Sequence, residues 1–377
     1  MYNSIINFQN LLRAYKRTRC RKRYKRTPQR YEFRYETKLL SLQKKLKERV
    51  YKPRPYHKFI VFEPKRRQVS APHFEDRIVH HAIMNLIEPI FRKTFIKNSF
   101  ACQKAKGHHQ GIKTLQSVYQ NFCLKNPNFY ALKCDIKSYF ASVDHQILSR
   151  LLEKQIHCPE TLSFLQSIIN SYEDSPGKGI PIGNLTSQLF ANIYLHPLDI
   201  FITQNLKEPN YFRYMDDFLV LSHNKEYLKE LRNKIKVFLE KNLKLQPHPR
   251  KSNIFRADFG LDFVGYVIYP DKTILRKKAI RRYKKRHKKR LKKLKQLRKG
   301  LVRRNDNYQL SLLKNNDLAK EKEEKEELEE KIQVLERKIF ASTNSFKGIL
   351  KYSKYSKLKG GGVLVSTMKI PNIFKMP

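Results

Sequence analysis

Residues 211–222 read Tyr-Phe-Arg-Tyr-Met-Asp-Asp-Phe-Leu-Val-Leu-Ser, so two apolar runs flank Met215, Asp216 and Asp217. This pattern predicts a β-hairpin with adjacent carboxylates at its tip. Carboxylates carried on paired strands can grip a divalent cation, which points to metal-assisted phosphoryl transfer. An Asp-Asp pair is also ordinary turn chemistry, because Asp bonds its own neighbouring backbone. A second acid gives the pair a partner. In Tyr130-Ala-Leu-Lys-Cys-Asp-Ile-Lys-Ser-Tyr-Phe140, strand alternation puts Tyr130, Leu132, Cys134 and Ile136 on a core face and Asp135 on the other with Lys133. A third segment, Gly179-Ile-Pro-Ile-Gly-Asn-Leu-Thr-Ser-Gln188, predicts a loop entering a helix. Gly183 permits close backbone approach, Asn184 or Thr186 can cap the helix, and Leu185, Leu189 and Ile193 form its buried stripe. An ordinary capped junction reads the same way.

The elements around these segments alternate between strand and helix character from Tyr51 to about Arg276, giving a mixed α+β core. Phe59–Phe62 and Phe129–Ile136 read as strands, and Asp76–Leu86 as a helix. Residues 1–50 form a basic N-terminal extension; within it, 13–50 interleave Tyr15, Tyr24, Tyr31, Phe33 and Tyr35 with Lys and Arg. They read as helical or extended nucleic-acid contacts ahead of the main fold, or as a disordered basic arm. Residues 276–377 form the last region. Leu291, Leu294, Leu297 and Leu301 mark one amphipathic helix there, and Leu328, Ile332, Leu335 and Ile339 another. A basic helix would pack on an acidic one as an α-hairpin across a polar 303–317 linker.

With 80 Lys+Arg against 33 Asp+Glu in 377 residues, the formal net charge is +47. Such a charge repels itself unless a polyanion accompanies it, and nucleic acid is the natural partner. A merely basic, ribosome-like protein shares this composition. No lipidation motif or long apolar span points to a membrane. The five cysteines form no Cys-x-x-Cys pair, which suggests reduced thiols in a cytoplasmic chain, and no secretory signal is visible.

Taken in order, an acid on a strand, a Gly-x-x-x-Ser loop and helix, and Tyr-Met-Asp-Asp resemble the reverse transcriptase family. Glu63-Pro-Lys-Arg-Arg-Gln-Val-Ser-Ala-Pro72 and Asp76-Arg-Ile-Val-His-His-Ala-Ile83 resemble its fingers motifs. Leu245-Gln-Pro-His-Pro-Arg-Lys-Ser252 is similar to a later palm motif, and Gly260-Leu-Asp-Phe-Val-Gly-Tyr266 to the primer-grip hairpin. The resemblance implies a right-hand polymerase: fingers and palm with an antiparallel sheet over 51–275, then a helical thumb. Most relatives, such as group II intron enzymes, carry Gln before the Gly of the third segment and Pro after its Ser. Ile182 and Gln188 stand there instead, a variant resembling reverse transcriptases of diversity-generating retroelements. Ser345–Tyr355 is similar to the thumb end of that branch, although the charged 303–340 stretch departs from its compact members.

The resemblance implies Asp135, Asp216 and Asp217 as the acidic triad for two Mg²⁺ ions. It implies Lys65 and Arg67 on the incoming triphosphate, with Arg77 serving similarly or bracing the fingers. Lys251 falls near the pyrophosphate as a general acid, and Phe140 beneath the sugar, where it excludes a ribose 2′-hydroxyl. Ile182, Gly183 and Gln188 fall near the nascent base pair, and Tyr214 and Met215 near the primer terminus. His80 and His81 read as packing or RNA contacts. The function implied is error-prone, adenine-directed cDNA synthesis from a structured template RNA, with an RNA/cDNA duplex, dNTPs and a small basic accessory oligomer as partners. A group II intron-like or retron-like reverse transcriptase, and a catalytically inactive RNA-binding protein, are the alternatives.

Overall fold

A computed structural model describes residues 1–62, 66–125, 128–314 and 318–350. Four helices come first: α1 (Tyr2–Ile5), α2 (Phe8–Arg19), α3 (Arg26–Glu32) and α4 (Tyr35–Lys47). The antiparallel pair β1 (His57–Val61) and β2 (Arg67–Ala71) leads into α5 (Phe74–Thr94) and α6 (His108–Lys125). Next come β3 (Tyr130–Cys134), α7 (Tyr139–Ser142), α8 (His145–Glu153), α9 (Pro159–Ile169) and α10 (Leu185–Ile200). Strands β4 (Tyr211–Tyr214) and β5 (Asp217–Ser222), helix α11 (Lys225–Leu243) and β6 (Asn253–Arg256) complete this series.

Two compact units divide the chain at Asp258/Phe259, a boundary that falls inside the expected 51–275 region. The first is organised on a four-stranded antiparallel sheet in the order β4-β5-β3-β6. Period-2 alternation sorts its side chains. Leu132 and Cys134 of β3, with Phe218 and Val220 of β5, enter the main core, where α10 packs. Helix α10 is buried well beyond a single stripe, since Thr186, Ser187, Phe190, Asn192 and Tyr194 are covered as well as Leu189 and Ile193.

The basic N-terminal segment belongs to this same core. Leu11, Ala14, Tyr15 and Thr18 form a helical stripe on α2, and Leu39, Leu42 and Leu46 one on α4. Their Lys and Arg residues occupy the outer faces. Asn10 ties α2 to α5 by donating to Ala82 O (3.1 Å) and accepting from Asn85 Nδ2 (2.8 Å). The expected extension is therefore a folded layer of helices.

The second unit holds β7 (Leu261–Phe263), β8 (Tyr266–Ile268) and β9 (Thr273–Leu275), then α12 (Lys277–Lys314) and α13 (Leu318–Leu350). The α-hairpin forms through Leu294, Ile332 and Ile339, flanked by Leu291, Leu297, Leu301, Leu328 and Leu335. Helix α12 continues through most of the stretch expected as a linker. Ion pairs Arg298–Glu336 (2.7 Å) and Arg304–Glu324 cross between basic and acidic helices along it. Of the thumb-like segment Ser345–Tyr355, residues beyond 350 lie outside the described residues. Phe346 stacks on Tyr283 with ring centroids 3.8 Å apart.

Leu42 is fully buried. Leu42→Ala is expected to destabilise the first unit by about 2–5 kcal/mol, read by denaturant unfolding. A change below about 0.5 kcal/mol, the level of a surface substitution, would place α4 outside the core.

Candidate active site

The hairpin that carries the paired acids turns through only two residues, Met215 and Asp216, because Tyr214 pairs directly with Asp217. Met215 has φ 59°, the left-handed region that costs a non-glycine residue roughly 1–3 kcal/mol and persists only where surroundings enforce it. Arg213 supplies that enforcement. Its side chain is completely buried and donates from Nη1 to Met215 O (3.1 Å) and Asn192 Oδ1 (3.2 Å). Nε and Nη2 donate to the two oxygens of Asp199, at 2.6 and 2.5 Å, and Tyr211 OH donates to Asp199 Oδ1 at 2.8 Å. Burial pulls the Arg213 guanidinium down from its usual range, but Asp199 outweighs it and leaves the group raised. Helix α10 is thus bolted to the carbonyl at the hairpin tip. Neither Arg213 nor Asp199 was among the residues expected in the site. The available signal was one charge of each sign in otherwise apolar elements.

Asp135 lies one residue beyond β3. The register Cys134↔Phe218 places it across from Asp217, on the face shared with Lys133. Its carbonyl accepts from His248 N (2.7 Å), which anchors it to the 245–252 segment. The Asp135 carboxylate pairs with Lys251, and that of Asp217 with Lys133 at 3.5 Å. Asp216 is pushed up to about 6, first by burial and then by the neighbouring Asp135 carboxylate. Two acids therefore face each other at the hairpin tip, and the third stands beside them.

Among the described residues no three His, Cys, Asp or Glu side chains form a ready-made metal cage. The donor set nevertheless fits Mg²⁺, which takes one or two carboxylates and completes its shell with water and substrate phosphate. A cation between Asp135 and Asp216 would relieve the repulsion that raises Asp216.

The third segment is threaded between its neighbours. Gly179 N donates to Val143 O and Ile180 N to Phe140 O, both at 2.8 Å, and Ser70 N of β2 donates to Ile182 O at 2.9 Å. Gly183 has φ 110°, and a Cβ there would stand 2.7 Å from Val69 Cγ1. Its expected role in close approach is met by β2. Ile182 is half-buried, and Gly183 and Gln188 are exposed. Asn184 stands at the N-cap of α10 without a capping side-chain bond, contrary to expectation. Its Nδ2 turns instead to His80 Nε2 (3.2 Å) and Tyr56 OH (3.4 Å). With Nε2 accepting, His80 Nδ1 donates to Thr186 Oγ1 (3.2 Å). Burial lowers His80 to about 3, so it is a neutral packing group. Burial, Lys22 and Arg17 lower His81 to about 4.

Phe140 is half-buried on α7, and the adjacent Tyr139 is anchored by donating to Ala191 O. Arg67 is exposed at the start of β2, whereas Lys65 lies outside the described residues. The structure therefore brings Asp135, Asp216, Asp217 and Lys251 together, with the Phe140 and Ile182 segments hydrogen-bonded side by side through Ile180.

A polymerase-type palm sheet with acids on adjacent strands is the class this fold and site define. A model of the reverse transcriptase (RNA-dependent DNA polymerase) family matches residues 52–268, more than half of the chain. The chain belongs to that family. Protein YkfC of Escherichia coli K12 is 24% identical over 258 residues, covering 57% of this chain and 67% of YkfC. Group II intron-encoded protein LtrA of Lactococcus lactis subsp. cremoris is 24% identical over 250 residues, covering 61% of this chain and 41% of LtrA. A solved apo telomerase from Candida tropicalis, truncated from its C-terminal domain, aligns with TM-score 0.46 at 14% identity, over 63% of this chain and 59% of that one.

Arg213→Met alone strands a buried carboxylate and is expected to cost about 3–5 kcal/mol. Arg213→Met with Asp199→Leu removes both charges, so its melting temperature should return toward wild type. Deoxynucleotide incorporation by the double variant should still show a kcat at least about tenfold lower, roughly 1.4 kcal/mol, with a smaller change in KM. Wild-type kcat in a stable double variant would detach the pair from the hairpin's geometry.

Proposed function

We propose that the chain is an RNA-directed DNA polymerase whose nucleotidyl transfer is centred on Asp135 and Asp216. The observation carrying this reading is the meeting of those two carboxylates across adjacent antiparallel strands, within the family-matched region. In this reading β1–β2 with α5 act as fingers, the four-stranded sheet as palm, and α12 with α13 as thumb. Asp135 and Asp216 would hold two Mg²⁺ ions, with Asp217 supporting them. Bound there, the ions would supply Lewis-acid activation of the primer 3′-hydroxyl and neutralise the leaving pyrophosphate. Lys65 and Arg67 grasp the triphosphate, because spreading charge is best met by fixed cations. Lys251 is held beside the reacting phosphates by Asp135, where its ammonium can give a proton to the leaving oxygen. Primer extension on an RNA template with Mg²⁺ tests the assignment: absence of incorporation across template and primer designs overturns it.

Within that class we place the chain in the diversity-generating branch, making adenine-mutagenised cDNA from a structured template RNA in the cytoplasm, with a small basic accessory oligomer. Support comes from Ile182 and Gln188, and from a net charge of +47 suited to RNA and RNA/cDNA duplex. No described helix is long and apolar enough to cross a membrane. The likeness to LtrA favours a second reading, an intron-type reverse transcriptase. Ile182 separates the two. A Gln at that position hydrogen-bonds, whereas Ile only packs, and each ~1.4 kcal/mol of lost polar discrimination is about tenfold in fidelity.

Sequencing cDNA made on one template should show errors concentrated opposite adenines, and Ile182→Gln should lower that rate. Equal error rates opposite all four bases would reject the diversity-generating reading. For sugar selection, Phe140→Ala opens space for a 2′-hydroxyl and should raise ribonucleotide incorporation by about tenfold. A competition assay with an unchanged ratio would place the gate elsewhere.

A further inference from the structure

A cavity of about 290 Å³ lies at the N-terminus of α5, away from the carboxylates. Lys22 and Lys25, from the α2–α3 turn, line it. So do His57 at the start of β1, His73 at the N-cap of α5 and Arg77 in its first turns. We propose that this cavity binds a phosphate group, supplied by the backbone of the RNA substrate or by a free nucleotide.

Three independent features converge on an anion. First, the cations have no carboxylate of their own: among the described residues no salt bridge engages Lys22, Lys25 or Arg77. The acids closest in sequence are committed elsewhere. Glu32 pairs with Arg19, Glu75 with Lys45 (3.9 Å) and Arg54 (3.4 Å), and buried Asp76 accepts from Tyr51 OH (2.7 Å) and Arg54 N (3.2 Å). Second, Arg77 is oriented by a single bond from Nε to Pro72 O (2.8 Å), so its Nη atoms remain available for a bidentate oxyanion contact. Third, His73 at the N-cap of the 21-residue helix α5 makes no side-chain capping bond, which leaves first-turn amides toward the cavity, and the first-turn acids Glu75 and Asp76 are held by the partners just named. Burial lowers Lys22, and the like charges of Arg77 and Lys25 lower it further, against a smaller opposing effect of Cys20.

The pocket joins the N-terminal helices, outside the family-matched residues, to the start of the matched domain. This inference rests on the chain acting on RNA, but its principal readout is binding, so failure of polymerase activity does not decide it.

The test uses the full chain. Lys22→Ala/Lys25→Ala is compared with Lys236→Ala/Lys241→Ala, which removes the same charge from the exposed face of α11. Anisotropy of a labelled single-stranded RNA is measured across a salt series, and the KM for a deoxynucleotide alongside. If the phosphate belongs to RNA, the pocket pair weakens RNA binding severalfold. It also lowers the slope of log affinity against log salt by about 0.7, the value for one phosphate on a single strand. The control pair has a smaller effect. If it belongs to a free nucleotide, KM rises while RNA affinity holds. Equal losses in the two pairs, or no change in either readout, overturn the pocket.

Discussion

The buried pair between Arg213 and Asp199 is the constraint on which the site depends. Taking two charges out of water is expensive, and hydrophobic replacements often match such pairs in stability. Its value lies in direction. The planar guanidinium ties two Asp199 oxygens, Asn192 and the carbonyl of Met215 into one arrangement, so helix α10 and the hairpin tip are joined directly. The same helix begins at the Ile182–Asn184 loop, which is fastened to β2 through Ser70 and to α5 through His80. One helix thus sets both the acids and the loop proposed to face the nascent base pair.

The electrostatics of the acids follow from that rigidity. Asp216 cannot swing away from Asp135, so burial and like charge raise it. Lys251 and Lys133 meanwhile compensate Asp135 and Asp217. Preorganised charge of this kind is effective because little reorganisation is needed during reaction.

Much of this was legible because it depends on local periodicity. Alternation in 130–136 and 211–222 identified the central strands and set Asp135 apart from the core face, and helical spacing from Leu291 to Ile339 identified the α-hairpin. Longer-range information was less accessible. The stripe Leu11–Ala14–Tyr15–Thr18 lies among so many Lys and Arg residues that composition pointed outward while periodicity pointed to the core. Asn184 has the right chemistry to cap α10, but a buried histidine 104 residues earlier in the chain competes for its amide. Arg213 and Asp199 look anomalous singly and make sense only once α10 lies beside β4. The helical stretch past residue 303 meets α13 through Arg304–Glu324 and through Lys325 over the Tyr308 ring, partners that its own polar composition does not announce.

The most direct measurement is Mn²⁺ binding to metal-free protein, followed by loss of the free-ion paramagnetic resonance signal, for wild type, Asp135→Asn and Asp216→Asn. If Asp135 and Asp216 form one cation site, wild type binds and each substitution weakens binding strongly. Asp216→Asn should also melt at a higher temperature than wild type without metal, because a repelled buried charge is gone. Wild-type Mn²⁺ affinity in both variants would contradict the account.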